Sequence, residues 1–362
     1  RGFLIAGGGT GGHVFPALAL AGEIRRRRPG APIVFVGTAR GLETALVPKA
    51  GFALELVRAK GLVGKGWRAR LDGLRALPLA LLDSLRLLAR YAPRAVVGVG
   101  GYASGALVAT AFLRRVPTLI HEQNAVPGLT NRLLALVARR IAVGTARGAA
   151  ALPGAVVTGN PVRESFFGIP SLVARPVDRR LRILVVGGSQ GAQILNRLVP
   201  LALARIAEAG IAFDVVHQAG KGRAGEVVTS YSKPGLLQDR AFVHEFLDDM
   251  AAAYAAADLV VARAGAMTVA EIAAAGRPAL LVPLAAAARS HQEANARELE
   301  AEGAAVVVTE AEATDERLAA VLVGLLGDPS RLLAMGEAAR RSAAPDAAAR
   351  LCDLVFEVEA KS

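Results

Sequence analysis

Residues 259–284 read LVVARAGAMTVAEIAAAGRPALLVPL, and this stretch predicts two strands joined by a helix. Leu259–Ala262 and Ala279–Val282 are short apolar runs of the kind that form buried parallel strands. Gly276 and Pro278, which lie between them, are residues expected where a helix stops. The stretch is therefore a strand–helix–strand crossover, and it indicates the α/β fold class.

The helix in this stretch has a start signal with two interpretations. Thr268 and Glu271 have the spacing of a capping box, in which threonine is the N-cap and glutamate follows three residues later. Gly265 supplies a turn before them, so free backbone N–H groups would converge there and suit an anion. Glu271 either only caps its helix or also contacts a ligand, and the spacing alone leaves both open.

The rest of the chain repeats this alternation of short apolar strands and amphipathic helices, notably the helices at residues 15–28 and 71–90. Such alternation indicates parallel sheets covered by helices on both faces. The predicted strands are Phe3–Ala6, Ile33–Val36, Ala53–Val57, Ala95–Val99, Pro117–Ile120, Ile141–Val143 and Val156–Thr158, then Leu181–Val186, Phe213–His217, Phe242–Phe246, Leu259–Ala262, Ala279–Val282 and Ala304–Val308.

Two similar halves follow from this pattern. Gly7–Gly12 comes after the first strand of one half and Gly187–Gly191 after the first strand of the other, and Gly159–Arg163 has the composition of a linker. We therefore predict two doubly wound, Rossmann-like domains facing a central cleft, which is the default ligand site. The expected domains are residues 1–160 and 161–341.

Composition limits the classes of function. A chain of 362 residues with 53% hydrophobic content is long enough for two domains with full cores. Cys352 is the only cysteine, which excludes a disulfide framework and fits a reducing compartment. Residues 1–163 hold 23 of the 43 Lys and Arg and 6 of the 31 Asp and Glu, about +17, whereas the remainder is about −5. A basic first half predicts an anionic partner, and the sequence has no nucleic-acid-binding motif.

The first glycine loop matches a dinucleotide-binding pattern only in part. Gly7-x-Gly9-x-x-Gly12 has the right spacing, but the second strand should end with an acidic residue that binds ribose. Here that strand ends Val36-Gly37-Thr38, and its counterpart in the second half ends His217-Gln218. A nicotinamide or flavin enzyme is therefore not expected. We assign no cofactor and no metal site, and we expect Asp248-Asp249 to cap the helix that starts at Met250.

One uncharged stretch, Ala95–Leu113, is long enough to cross a bilayer. Four glycines and Ser104 interrupt it at the point where a strand would turn into a helix. We therefore predict that it is buried core and that the chain does not span a membrane.

Polar residues occur where predicted strands end. His121-Glu122-Gln123-Asn124 follows the predicted strand Pro117–Ile120. Because such folds bind ligands at the carboxyl ends of buried parallel strands, these four residues are candidates for a binding site. The alternative is that they form a loop with no role in binding. Gln292 and Asn295, close to His291, would lie on adjoining faces near the start of a helix and could offer amide groups to a sugar.

These motifs, in this order, resemble the MurG family of bacterial glycosyltransferases over nearly the whole chain. They are residues 8–13 (GGTGGH), 100–105 (GGYASG), 121–124 (HEQN), 158–163 (TGNPVR), 187–192 (GGSQGA), 245–250 (EFLDDM) and 265–268 (GAMT), with Gln292 and Asn295. The resemblance implies a GT-B fold. It also implies inverting transfer of N-acetylglucosamine from UDP-N-acetylglucosamine to undecaprenyl-pyrophosphoryl-N-acetylmuramoyl-pentapeptide (lipid I), which gives lipid II of peptidoglycan.

The resemblance further implies where each substrate binds. The second domain would hold the donor, and the first would hold the acceptor and the cytoplasmic face of the bacterial cell membrane, to which the protein would bind peripherally. A last helix within residues 342–362 would return to the first domain. The implied donor residues are Ser189 and Gln190 at the phosphates and sugar, Leu247, Ala266 and Met267 at uracil, Glu271 at the ribose, and Gln292 and Asn295 at the sugar hydroxyls. Because the sequence has no Asp-x-Asp metal holder, we expect the helix N-termini after Gly191 and at Thr268 to face the leaving pyrophosphate, with Arg163 as a further candidate. Thr10, Gly11, Gly12, Asn124 and Arg163 would reach in from the first domain and the hinge.

The reaction needs a base for the muramoyl C4 hydroxyl, which attacks the anomeric carbon as UDP leaves. His13 is the main candidate, because a helix N-terminus after Gly12 would disfavour imidazolium and keep the ring able to accept a proton. His121 and Glu122 are the competitors. The chain departs from the family pattern just before His291, where many members carry two acidic residues and this chain has Arg289-Ser290 after Ala285–Ala288.

A basic, amphipathic segment predicts contact with an anionic membrane surface. Its residues are Trp67, Arg68, Arg70, Leu74 and Arg75. Pro78 would divide this segment into two short helices, and a buried core helix is the alternative. Two other function classes remain open, a UDP-GlcNAc 2-epimerase of the same architecture and a non-catalytic binder of anionic lipid. The loops at Gly12-His13 and at Gly100–Gly105 favour the transferase.

Overall fold

The computed structural model describes residues 2–59, 67–173, 180–188, 190–233, 235–236, 240–285 and 291–360, with side chains in the helix that begins at Trp67 described from Ala76 onward. The chain forms two compact units. The first contains residues 1–163 and 344–362, and the second contains residues 164–343. The chain therefore passes from one unit to the other three residues after the predicted boundary at 160, and returns two residues after the predicted boundary at 341.

Seven parallel strands form the sheet of the first unit, in the order β3-β2-β1-β4-β5-β6-β7. They are β1 Phe3–Ala6, β2 Ile33–Gly37, β3 Ala53–Leu56, β4 Ala95–Gly98, β5 Thr118–Glu122, β6 Arg140–Val143 and β7 Val156–Val157. The order in which strands are added reverses between β1 and β4. The loops after these two strands therefore lie side by side at the carboxyl edge, which is where doubly wound sheets bind ligands.

Six parallel strands form the sheet of the second unit, in the order β10-β9-β8-β11-β12-β13. They are β8 Leu181–Val186, β9 Phe213–Gln218, β10 Ala241–His244, β11 Leu259–Ala262, β12 Ala279–Leu281 and β13 Ala305–Val307. The reversal here falls between β8 and β11, so the second glycine loop lies beside the turn that precedes the helix of the 259–284 stretch.

Helices alternate with these strands, so the predicted doubly wound architecture is confirmed. In the first unit they are α1 Gly11–Arg27, α2 Glu43–Lys49, α3 Trp67–Tyr91, α4 Tyr102–Leu113, α5 Leu129–Leu134 and α6 Ala146–Ala151, with α15 Ala347–Ala360 returning from the end of the chain. In the second they are α7 Glu164–Phe167, α8 Gln193–Glu208, α9 Ala224–Ser232, α10 Met250–Ala256, α11 Ala266–Ala275, α12 His291–Ala301, α13 Asp315–Leu326 and α14 Pro329–Arg341.

Apolar side chains cover both faces of the first sheet. Helices α1 and α15 pack on one face and α3 and α4 on the other. The Ala95–Leu113 stretch forms buried β4 and the largely buried α4, which confirms that it is core. Within the described residues, no single helix is long and apolar enough to cross a membrane; α13 and α14 meet that test only as a pair, which is bent by 93°.

Two details of the predicted helices are wrong. Helix α11 begins at Ala266 with Gly265 as its N-cap and no side-chain cap, so Thr268 lies inside the first turn and the capping box does not form. Helix α3 continues through Pro78, although proline removes one helical hydrogen bond. Packing of α3 along α4 offsets that loss. Asp249 caps α10 as predicted, accepting a hydrogen bond from the Ala252 N–H at 3.0 Å.

Ion pairs and apolar contacts hold α15 on the first unit. Leu351, Cys352, Val355 and Val358 are buried against α1 and the sheet. Around them, carboxylates of α15 pair with arginines of the first unit: Arg27–Asp353 at 2.5 Å, Arg94–Glu359 at 2.7 Å, Arg140–Glu357 at 2.6 Å, and Arg28–Glu359.

Candidate active site

The first glycine loop orients His13 at the carboxyl edge of the first sheet. His13 lies in the first turn of α1, and its Nδ1 is 3.2 Å from the Gly8 carbonyl oxygen. Because a carbonyl can only accept, Nδ1 carries the proton and Nε2 carries the lone pair of the neutral ring. No described residue is hydrogen-bonded to Nε2. A side chain at Gly100 would lie 2.6 Å from the ring, so glycine is needed there for close approach.

The pKa of His13 is lowered, chiefly because burial disfavours the charged ring. The hydrogen bond to the Gly8 carbonyl and the carboxylates of Glu122 and Glu43 oppose this shift. The predicted neutral imidazole is thus supported. Burial is the largest cause of this lowered pKa.

Sequence reasoning missed Glu43, the first residue of α2. Its buried carboxylate accepts hydrogen bonds from the backbone N–H of Gly9 at 2.8 Å and of Thr38 at 2.9 Å, and from the Thr38 hydroxyl at 3.0 Å. The only signal in the sequence is the pair of glycines at 37 and 41 that precede it. The dinucleotide-binding pattern has its acidic residue at the end of β2, whereas Glu43 belongs to the next helix.

His121 and Glu122 are the last residues of β5 rather than the start of a loop, and both side chains are buried. His121 Nε2 is 3.2 Å from the Gly159 carbonyl oxygen, and Nδ1 is 3.0 Å from the amide nitrogen of Gln123. Nε2 therefore carries the proton and Nδ1 accepts. Burial lowers the pKa of His121 to about 4. With both nitrogens engaged, His121 has no lone pair to offer to a substrate.

Glu122 organises the turn between β5 and α5. Its carboxylate accepts hydrogen bonds at 2.9 Å from the backbone and side-chain N–H groups of Asn124, from the Gly128 N–H and from the Asn131 side chain. Such saturation makes it a structural carboxylate. The structure thus argues against Glu122 as the base, and it shows the Asn124 amide donating within the protein.

The other first-unit candidates surround α1. Thr10 is exposed, and Gly11 and Gly12 form the start of the helix, where N–H groups have no intrahelical acceptor. The Arg163 guanidinium lies 4.7 Å from the ring centroid of Phe15, a residue of α1. The first unit therefore brings Thr10, Gly11, Gly12 and Arg163 to the helix that carries His13.

The second glycine loop follows β8 and leads into α8 at Gln193. Ser189 lies outside the described residues, and Gln190 is exposed. Beneath the loop, His217 is buried between the Tyr231 hydroxyl at 3.0 Å and the Asn196 side chain at 3.1 Å. Burial lowers the pKa of His217 to about 3, so this support is a neutral hydrogen-bonded network.

The remaining donor candidates lie after β10, β11 and β12, at the same carboxyl edge as Gln190. Leu247, Ala266 and Thr268 are partly buried, Met267 is buried, and Glu271 is 9% exposed in the second turn of α11. The predicted sugar residues both make internal contacts. Gln292 accepts from the Leu284 N–H at 3.0 Å, and the buried Asn295 donates to the Ala264 carbonyl at 3.1 Å.

Residues 286–290 of the atypical loop lie outside the described residues, as do the side chains of Trp67, Arg68, Arg70, Leu74 and Arg75.

Family models match both units. Residues 3–143 match the glycosyltransferase family 28 N-terminal domain, and residues 182–351 match the glycosyltransferase family 28 C-terminal domain. The chain belongs to glycosyltransferase family 28. The predicted GT-B class of two Rossmann-like domains agrees with this membership.

Relatives within family 28 are similar over nearly the full chain. A protein of Anaeromyxobacter sp. (strain K), named UDP-N-acetylglucosamine–N-acetylmuramyl-(pentapeptide) pyrophosphoryl-undecaprenol N-acetylglucosamine transferase, is 46% identical over 98% of this chain and 92% of its own. A crystal structure of Acinetobacter baumannii MurG aligns with a TM-score of 0.77 at 31% identity, covering 99% of both chains. A UDP-GlcNAc 2-epimerase from Neisseria meningitidis aligns with a TM-score of 0.70 over 100% of both chains, but at 14% identity it shows the shared fold alone.

Proposed function

We propose that this family 28 enzyme transfers N-acetylglucosamine from UDP-N-acetylglucosamine to the C4 hydroxyl of the muramoyl sugar of lipid I, which gives lipid II with inversion at the anomeric carbon. The observation that carries the proposal is the 46% identity, over 98% of the chain, to a relative named for this transfer. The neutral His13, with an open Nε2 at the edge of the first sheet, is the chemical group that such a transfer needs.

His13 is the proposed general base. Its Nδ1–H is held by the Gly8 carbonyl, so Nε2 can take the proton of the attacking hydroxyl. This orienting bond plays the part that a carboxylate plays in a catalytic triad. His121 and Glu122 are poorer candidates, because the ring nitrogens of His121 are engaged by Gly159 and Gln123, and the Glu122 carboxylate is engaged by the turn and the helix that follow β5.

The second unit is the proposed donor site. Ser189 and Gln190 would contact the phosphates and sugar, and Leu247, Ala266 and Met267 would contact the uracil. The first turn of α11, which contains Thr268, and the start of α8 would stabilise the charge of the departing UDP through their N–H groups. Glu271 would accept hydrogen bonds from the ribose hydroxyls.

For the sugar, we propose that Gln292 contacts the hydroxyls of N-acetylglucosamine. Asn295 would contribute to the sugar site in two ways. Its hydrogen bond to the Ala264 carbonyl holds the turn before α11 in place, and its side chain would also contact the sugar directly. The acceptor would meet Thr10, Gly11, Gly12, Asn124 and Arg163 from the first unit. No metal or cofactor takes part in this scheme.

An apolar surface edged by arginines supports binding to the inner face of an anionic membrane. Helix α3 packs against α4, and α4 packs against α5. The large apolar side chains that are exposed on the described parts of these helices are Leu77, Leu79, Leu82, Leu85, Tyr102, Phe112, Leu113, Leu129 and Leu133, and Leu136 is exposed just after α5. Arg114, Arg115 and Arg132 are exposed beside them. Leucines that enter the acyl boundary and arginines that meet acidic headgroups are the pattern of a peripheral membrane protein.

A UDP-release assay tests the function. Purified protein is incubated with UDP-N-acetylglucosamine, with and without a lipid I analogue, and UDP and the disaccharide product are measured. Acceptor-dependent UDP release with formation of the disaccharide is expected. Release of UDP or formation of the 2-epimer without acceptor would instead indicate an epimerase. Binding without turnover would indicate a non-catalytic protein.

A further inference from the structure

A buried carboxylate contacts the glycine loop that orients the proposed base. Glu43 has 0% exposed surface, and its donors are the Gly9 N–H, the Thr38 N–H and the Thr38 hydroxyl. Among the described residues it makes no ion pair. A buried carboxylate held only by neutral donors costs free energy that an apolar residue would not cost. Its presence therefore points to a role beyond stability.

Three glycines reserve the space for this carboxylate. A Cβ at Gly8 would lie 2.2 Å from Glu43 Oε1, one at Gly37 would lie 2.5 Å from Cγ, and one at Gly41 would lie 1.8 Å from Oε2. These glycines come from three different places: the loop after β1, the end of β2 and the loop before α2. The loops are thus shaped around the Glu43 side chain.

Glu43 and His13 hold opposite ends of one peptide group. The Gly9 N–H donates to Glu43 Oε2 at 2.8 Å, and the Gly8 carbonyl of the same peptide lies 3.2 Å from His13 Nδ1. A peptide between two glycines has little steric resistance to rotation, and Gly9 already has a φ of 90°. Rotation of this peptide would break both bonds and would turn an N–H toward the ring. Glu43 opposes that rotation.

We infer that Glu43 is a positioning residue for the transfer reaction, which locks the Gly8–Gly9 peptide so that His13 presents the Nε2 lone pair to the acceptor hydroxyl. The inference rests on the proposed function, in which His13 is the base. It also gives the first glycine loop a role other than phosphate binding. The Gly9 N–H donates to the Glu43 carboxylate, so it is not available to donate to a bound phosphate.

The charge of Glu43 also acts on the base. The titratable groups that face His13 are Glu43 from α2, and His121 and Glu122 from β5. Burial lowers the pKa of His13, and the Glu43 carboxylate opposes that shift. Replacing Glu43 by a neutral residue should therefore lower the pKa of His13 further and move the acidic limb of the rate profile to lower pH. A substitution that only lowered the free energy of unfolding would not move that limb.

The test compares Glu43→Gln with Glu55→Gln, a matched loss of one carboxylate in the same unit that leaves the glycine loop intact. Glu43→Gln should lower kcat about 10- to 100-fold, as expected when a reacting group is misplaced. Its KM for UDP-N-acetylglucosamine should stay within about twofold, since donor residues are in the other unit. Thr38→Val removes one donor from the carboxylate and should cause a smaller loss in the same direction. If Glu43→Gln does not fold, the kcat of Thr38→Val is compared with those of Glu55→Gln and wild type instead.

Nitrogen-15 NMR of the histidine rings in the full chain provides a readout that does not depend on turnover. Wild type should show His13 protonated at Nδ1 and unprotonated at Nε2, and Glu43→Gln should show a mixture of tautomers. If wild type transfers no sugar, the proposed function fails while the NMR comparison still decides the role of Glu43. An unchanged tautomer, or a kcat within about twofold of wild type with an unmoved acidic limb, would overturn the inference.

Discussion

Acid should destabilise the first unit through His121, and His121→Gln should remove that sensitivity. The pKa of His121 is lowered from 6.5 to about 4 in the folded protein, because the ring is buried. Between these values the unfolded chain binds a proton that the folded chain does not. Stability is therefore greatest above pH 6.5 and falls as the pH drops toward 4. The full loss is about 3 kcal/mol, and between pH 7.5 and 5 it is about 2 kcal/mol.

Glutamine at position 121 can donate to the Gly159 carbonyl but does not titrate. At pH 7.5 the variant should be less stable than wild type by about 1 kcal/mol, because one buried hydrogen bond is lost. Wild type should lose about 2 kcal/mol between pH 7.5 and 5 that the variant does not lose, so at pH 5 the variant should be the more stable protein by about 1 kcal/mol. Urea unfolding across this range, followed by hydrogen exchange so that the two units are observed separately, measures both values.

The control is His244→Gln, which changes an exposed histidine at the end of β10 in the second unit. It should keep the pH dependence of wild type in the first unit. A constant stability difference between His121→Gln and wild type from pH 7.5 to 5 would refute the reasoning, because it would mean that His121 titrates alike in the folded and unfolded chains.

Three further predictions concern the proposed reaction. His13→Ala should lower kcat by at least about 100-fold and flatten the acidic limb, with UDP affinity unchanged; a variant that keeps most of its rate would show that another group takes the proton. Glu271→Gln should weaken UDP binding about 10-fold by calorimetry with little change in melting temperature, since Glu271 lies outside the cap of α11. Unchanged affinity would remove Glu271 from the ribose site. Binding to anionic vesicles should weaken with salt and with Trp67→Ala plus Arg68→Ala, whereas equal binding to neutral vesicles would contradict the electrostatic part.

The sequence by itself determined the architecture and the family. Apolar strands such as Leu259–Ala262 are bounded by glycine and proline, and those boundaries come from backbone preferences that act within a few residues. The two glycine loops were equally visible, since each follows the first strand of its half. Asp249 as a helix cap was predictable for the same reason, because its partner is only three residues away.

Only the tertiary structure decided the chemistry of the first glycine loop. Glu43 contacts Gly9 across 34 positions of sequence, and His121 contacts Gly159 across 38. Sequence spacing carries no information about such pairs, because they meet only when neighbouring parallel strands bring their loops to one edge of the sheet. The same limit explains the two errors in the helices. Whether Thr268 caps α11 depends on the residue at which the chain leaves the Gly265 turn. Whether Pro78 breaks α3 depends on how α3 packs against α4 in the folded unit.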